Sequence, residues 1–174
     1  HPETLVDLGC GEGYCTRAFS APEKYGFDLS KEALKHAGNM DPSTAYVVAS
    51  IFHLPLPDTC ADVAVTCFAP AAMQEIERIL KAGGSFLFVT PGPRHLWEMK
   101  KILYDMPYEN EQKNPETSLQ LIKSLCLSDH FTIGKDQILN LFAMTPYAHR
   151  TPKESVRRLE NVSDLSLTAE FVIR

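Results

Sequence analysis

The sequence predicts an α/β fold with a mostly parallel sheet and helices on both faces, on three observations. Short apolar strands alternate with helical patterns through the first two-thirds of the 174 residues, the rhythm of parallel strands joined by right-handed crossovers. A glycine loop, Gly9-Cys10-Gly11-Glu12-Gly13, follows the first strand directly. An acid, Asp28, closes the second strand about 20 residues after that loop begins.

The elements follow in order. Thr4–Leu8 reads as a buried strand, then the glycine loop opens a helix through about Phe19. Tyr25–Asp28 is a short second strand, and Ser30 caps a helix through about Ala37 that Gly38-Asn39 stops. Ala45–Ala49 and Val63–Phe68 are the third and fourth strands. Met73, Ile76, Ile79 and Leu80 form the apolar stripe of a helix ending at Gly83-Gly84. Ser85–Thr90 is a fifth strand, stopped by Pro91-Gly92-Pro93.

After Pro93 the rhythm changes. His95–Tyr104 reads as a helix, Asp105–Glu116 as a flexible loop, Ser118–Leu125 as helical, Ser128–Ile133 as a strand and Asp136–Met144 as a helix. In the tail Leu165, Leu167, Ala169, Phe171 and Ile173 alternate with polar neighbours. That period of two marks a half-buried antiparallel strand, hairpinned with its predecessor. The whole chain, residues 1–174, reads as one catalytic domain, and its abrupt start predicts a further N-terminal part in the natural protein.

Composition narrows the function. An apolar fraction of 44% and a charged fraction of 22% are those of an ordinary globular protein. No apolar run approaches the ~20 residues of a membrane span, and no secretory pattern opens the chain. Five cysteines, an odd number without any CxxC, argue for a reducing, cytoplasmic compartment and against a zinc or other metal site. A net charge of −5 disfavours a free-standing nucleic-acid binder. Two basic clusters, one at Arg94, His95, Lys100 and Lys101 and one between His149 and Arg158, read as solvated faces.

The glycine loop carries most of the chemistry. Glycines let the backbone turn sharply beside a ligand, and the N–H groups that follow are free to bind it. The dinucleotide pattern G-x-G-x-x-G fails, because Gly13 comes one residue early. Asp7, just before the loop, suits an ammonium group better than a diphosphate, and Asp28 sits where an acid binds both hydroxyls of a ribose. Together they point to S-adenosylmethionine. At the end of the third strand, Ser50 is placed for an adenine edge, and Ile51 and Leu54 for the faces of the ring.

Several further runs resemble one family. Asp7–Tyr14, Gly26–Lys31, Val48–Ser50, Leu54-Pro55, Phe68-Ala69-Pro70, Thr90–Leu96 and Met144–Ala148 are similar, in order, to the bacterial 23S ribosomal RNA guanine-N1 methyltransferases. The resemblance implies a Rossmann-like class I fold, a seven-stranded-type sheet with an antiparallel C-terminal strand. It also implies methyl transfer from S-adenosylmethionine to N1 of a guanine in a 23S rRNA hairpin loop. Family members carry an N-terminal zinc module, which these residues do not include. Separately from the resemblance, a homodimer is expected. The cofactor contacts it implies fall on Cys15, Thr16 and His95. With the loop and strand-end positions, the expected cofactor set is Asp7, Gly9, Gly11, Glu12, Gly13, Cys15, Thr16, Asp28, Leu29, Ser50, Ile51 and His95.

On the acceptor side the residues leave alternatives open. Phe68 and Pro70 can clamp an extruded base, or Phe68 can be core. Arg94 can pair with a phosphate or stand as a surface arginine. His95 can accept a proton or touch the cofactor carboxylate, and the resemblance favours the second; no other general base is readable. Rival functions are methylation of a small molecule, a cofactor-binding module without activity and, more distantly, a nicotinamide oxidoreductase.

Overall fold

The strands in chain order are β1 Thr4–Leu8, β2 Glu23–Asp28, β3 Ala45–Val48, β4 Ala61–Cys67, β5 Leu80–Pro91, β6 Leu125–Gly134 and β7 Asp164–Ile173. All five residues of β1 are buried, because a strand with parallel neighbours on both edges and helices on both faces has no solvent side. It pairs with β2 from Thr4↔Glu23 to Leu8↔Phe27 and with β4 from Leu5↔Val63 to Asp7↔Val65. Outward from these, β2 pairs with β3 and β4 with β5, all parallel. The hydrogen-bonded order is β3-β2-β1-β4-β5-β7-β6.

The computed structural model describes residues 2–174, which divide into two units. The first runs through Thr90 and takes in Asn114–Leu125 and Ile173–Arg174; the second comprises Pro91–Lys113 and Cys126–Val172. In the first, helices α1 (Lys31–Met40) and α2 (Met73–Ile79) accompany the parallel strands. Its core joins Val6, Leu8 and Phe27 to Ile76 and Ile79 of α2. Phe88 and Arg174 exchange both backbone hydrogen bonds, at 2.8 and 2.9 Å. This exchange is the signature of an antiparallel pair.

The second unit holds α3 (Trp97–Leu103), α4 (Lys135–Ala143) and α5 (Lys153–Glu160) around Leu96, Met99, Leu103, Ile138, Phe142 and Leu159. Thr132 Oγ1 lies 2.9 Å from Ser166 Oγ and His130 Nδ1 3.1 Å from Thr168 Oγ1. The rising and falling numbers make β6 and β7 antiparallel.

Several sequence expectations are corrected. No helix follows the glycine loop beyond a 3-10 turn at Thr16–Ala18, since Pro22 and the start of β2 leave no room for one. Helix α1 runs through Gly38 and Asn39 and closes where Asp41 donates its N–H to the Ala37 carbonyl at 2.8 Å. Helix α2 ends at Ile79, and Gly83, at a φ of 80°, belongs to an irregular entry into β5.

Residues 118–124 form no helix. Glu77 of α2 accepts from Thr117 Oγ1 (2.6 Å), Ser118 N (3.0 Å) and Ser118 Oγ (2.8 Å), and so short a segment gains too little from its own turns to resist such an anchor. Helix α5 is absent from the sequence expectation, although Pro152 before it, Glu154 in its first turn and Arg157 and Arg158 in its last suit a helix dipole. Nor do β6 and β7 form a hairpin: α4, a 3-10 turn at Pro146–His149 and α5 intervene.

Ile76 is fully buried, and Ser30 Oγ accepts from Ala33 N at 3.3 Å at the start of α1. In urea titration, Ile76→Ala is expected to cost about 2–5 kcal/mol and Ser30→Ala about 1 kcal/mol.

Candidate functional site

The carboxyl end of β1 runs into a loop that the backbone folds tightly against β2. Gly9 N and Cys10 N both donate to the Phe27 carbonyl, at 2.7 and 3.1 Å, and Gly13 N donates to Cys10 O at 2.9 Å. Gly11 and Gly13 take φ values of 52° and 70°, in the left-handed region that side chains disfavour. They differ in surroundings. A Cβ on Gly13 would collide with the Tyr46 ring, whereas one on Gly11 would meet nothing within 4 Å. The loop is therefore closed beneath Gly13 and open above Gly11.

Asp28, at the end of β2, ties this loop to the next turn. Its Oδ2 accepts from Gly11 N at 2.9 Å and its Oδ1 from Ser30 N at 2.8 Å. Each oxygen keeps a further lone pair for a ligand.

Asp7 is 1% exposed. Its Oδ2 accepts from Thr16 Oγ1 at 2.6 Å, while its Oδ1 is buried with no hydrogen-bond partner. Burial pushes its carboxyl up to about 6, against the Thr16 hydroxyl and with help from the charge of Asp28. An orphaned carboxylate oxygen in such a place is costly unless a cationic donor joins it. Burial also raises the Cys10 thiol to about 12. Hydrogen bonding from Cys67 lowers the Cys15 thiol to about 7 and holds the Cys67 proton in place.

The remaining expected residues of the first unit lie near strand ends. Glu12 and Leu29 are exposed, and Ser50 and Ile51 half-buried. Ser50 Oγ accepts from Phe52 N at 3.3 Å, and Ile51 packs on the core. Phe68, one residue past β4, is 52% exposed with a φ of 59°. The core alternative for Phe68 is thus set aside, and a strained aromatic held at a strand end points to function. Pro70 is exposed.

Arg94 and His95 belong to the second unit. His95 Nδ1 lies 2.9 Å from Glu170 O and 3.2 Å from Glu170 N, and its ring packs 5.4 Å from that of Phe171. Burial lowers its pKa, favouring the neutral ring. Arg94 Nε donates to Glu109 at 2.9 Å, and its guanidinium lies 5.5 Å from the Trp97 ring centre.

Lys100, expected on a solvated face, is completely buried. Its ammonium donates to Tyr108 O and Asn110 Oδ1, contacts that the sequence reading passes over. Tyr147, within the Met144–Ala148 run, is the available signal. Among the described residues no group of three or more His, Cys, Asp or Glu could hold a metal ion. No helix there is long and apolar enough to cross a membrane.

Residues 6–88 match the family model described as a methyltransferase domain. The chain carries a class I, S-adenosylmethionine-dependent methyltransferase domain. Over 191 aligned residues it is 30% identical to the 23S rRNA (guanine(748)-N(1))-methyltransferase of Streptomyces fradiae, across 99% of this chain. It is 33% identical over 112 residues to the malonyl-[acyl-carrier protein] O-methyltransferase of Serratia marcescens, across 57% of this chain. The chain spans 66% of the length of the first relative and 43% of the second. A candidate methyltransferase from Bacillus halodurans C-125 shares the fold, with a TM-score of 0.65 at 18% identity over 98% of this chain and 90% of that one.

The residues of the methyltransferase loop fit the cofactor. The unpartnered Oδ1 of Asp7 is a buried acceptor for an ammonium donor, the free lone pairs of Asp28 suit hydroxyls, and the space above Gly11 admits a close approach.

The two glycines separate strain from collision. Gly11→Ala carries only the left-handed backbone penalty, about 1–2 kcal/mol. Gly13→Ala adds the collision with Tyr46, so thermal unfolding is expected to show the larger loss for Gly13→Ala.

Proposed function

We propose that the protein transfers a methyl group from S-adenosylmethionine to N1 of a guanine in a 23S rRNA hairpin. The observation that carries this reading is the likeness to the Streptomyces fradiae enzyme over 99% of the chain. That likeness extends well past the general methyltransferase domain at residues 6–88 into the Thr90–Leu96 and Met144–Ala148 segments. We take residues 1–174 as one catalytic domain that acts in the cytoplasm.

When bound, the sulfonium supplies an electrophilic methyl, so the chain's task is to position and desolvate. Asp7 receives the ammonium on its free Oδ1. Asp28 receives the ribose hydroxyls while holding Gly11 with its Oδ2, and Gly9, Gly13, Glu12, Cys15 and Thr16 shape the loop that encloses the amino-acid end. Leu29, Ser50 and Ile51 meet the adenine. His95, neutral and oriented by the Glu170 backbone, contacts the cofactor carboxylate and takes no proton. Phe68 and Pro70 clamp the extruded guanine, and Arg94 leaves Glu109 for an RNA phosphate. No residue of the chain is assigned to the guanine N1 proton, which would be left to solvent.

A second reading is supported by the acidic net charge and the Serratia marcescens relative: methylation of a small molecule. Primer extension on a 23S rRNA hairpin transcript decides between them, because N1 methylation blocks pairing and stops the polymerase. A stop at a single guanine supports the RNA reading. Methyl transfer to small molecules with no stop on RNA rejects it.

Cofactor affinity is expected to depend on pH through Asp7. In the free protein this carboxyl titrates near 6, above its ordinary 3.8, so its ionisation opposes folding progressively as pH rises through that window. A bound ammonium favours the ionised form, so binding expels a proton below about pH 6. Affinity should therefore fall on acidification, by up to about tenfold per pH unit below 6. Calorimetric titration from pH 5 to 8 should show this fall, and Asp7→Asn should bind weakly with a flatter profile.

A further inference from the structure

In the second unit, the Gly92-Pro93 turn and Tyr147 of the Met144–Ala148 segment meet on one side chain. Asn110 donates its Nδ2 to Gly92 O at 2.8 Å and its backbone N–H to Pro93 O at 2.8 Å. Its Oδ1 accepts from Tyr147 Oη at 3.1 Å and from Lys100 Nζ at 2.7 Å. Lysine has no acceptor, so the amide oxygen is the atom facing it.

Lys100 is the unusual member. It lies on α3, is 0% exposed, and has no carboxylate within salt-bridge distance among the described residues. Its ammonium is held by Tyr108 O at 2.8 Å, by Asn110, and by the rings of Tyr108 and Tyr147 at 4.5 and 5.0 Å. Burying a charge on dipoles and rings is costly, and a leucine there would serve packing better. The cation has a local use: it fixes which way Asn110 points. From the other side Glu170 holds the same turn, accepting Gly92 N on its carbonyl and Arg94 N on its carboxylate. Gly92 is required there, because a Cβ would collide with the Glu170 side chain.

We propose that Lys100 and Asn110 are positioning residues that latch the Gly92–His95 turn to Tyr147 and so set the pose of Arg94 and His95 for methyl transfer. The latch acts through the turn and touches no substrate. Its catalytic consequence rests on the guanine-N1 reading above; the latch itself does not.

The test uses Asn110→Asp and Lys100→Met in the intact protein. The carboxylate introduced by Asn110→Asp keeps an acceptor for Lys100 and Tyr147 but loses the donor to Gly92, so thermal stability should hold while the turn is released. Hydrogen-exchange mass spectrometry should show at least about tenfold faster exchange in residues 92–97 in both variants, with the glycine-loop peptides unchanged. Guanine methylation should fall by about tenfold to a hundredfold in kcat, and calorimetric affinity for S-adenosylmethionine should weaken by at least about threefold through the displaced His95.

Unaltered exchange in 92–97 overturns the latch, whatever the acceptor is. Faster exchange with unaltered methylation overturns the positioning role, and so does an activity loss that merely follows the loss of thermal stability across the variants. Absence of guanine methylation by the wild type defeats the acceptor reading alone, and the exchange result then still decides the latch.

Discussion

A carboxylate buried at the end of the most enclosed strand is the constraint on which the first unit turns. Asp7 lies near the end of β1, whose residues are all out of water, and only one of its oxygens has a protein partner. Desolvation there opposes the charge, and the protein offsets little of that cost with its own groups. Thr16 supplies one hydroxyl; Asp28 supplies a further negative charge. The site is thus short of positive charge, a deficit that the proposed ammonium contact would fill. The tight folding of the glycine loop onto Phe27 and the tether from Gly11 to Asp28 commit the N–H groups of Gly9, Cys10 and Gly11 to the protein itself and hold the loop backbone against the end of β2.

The second unit solves a different problem with the opposite charge. Its buried cation, Lys100, is satisfied internally by carbonyl and amide oxygens and by two aromatic rings. No ligand is needed to complete it, so it can serve as a fixed point for the backbone around Gly92 and Pro93. Where Asp7 is left open for a partner, Lys100 is closed upon its own chain. That contrast separates a binding residue from a positioning one more clearly than residue type does, since both are buried ionisable groups.

Much of the fold is legible because parallel strands advertise themselves. Thr4–Leu8 is apolar except at Thr4 and Asp7, and the glycine loop and Asp28 follow at intervals that only a strand-turn-strand arrangement accommodates. The errors cluster where a tertiary contact overrides a local preference. Residues 118–124 carry a helical pattern, yet three hydrogen bonds to Glu77 hold the chain at its start. Gly38-Asn39 resembles a stop, yet α1 continues until Asp41, whose carboxylate is committed to Lys24, Ser43 and Thr44. Lys100 reads as one of a row of surface charges. Its burial is invisible in its neighbours along the sequence, because Tyr108, Asn110 and Tyr147 reach it across loops.

What the sequence by itself determined is the class of fold and the nature of the ligand. Alternating apolar periodicity selects a parallel sheet, and glycines bracketed by two acids select a donor with an ammonium and a ribose. Only the tertiary structure decided which oxygen of Asp7 stays free, that Phe68 stands exposed in a strained backbone, and that Asn110 gathers two distant segments. The physical reason is the same in each case. Periodicity and spacing record which groups leave water along one stretch of chain, whereas the satisfaction of a buried polar group depends on partners that sequence order does not bring together.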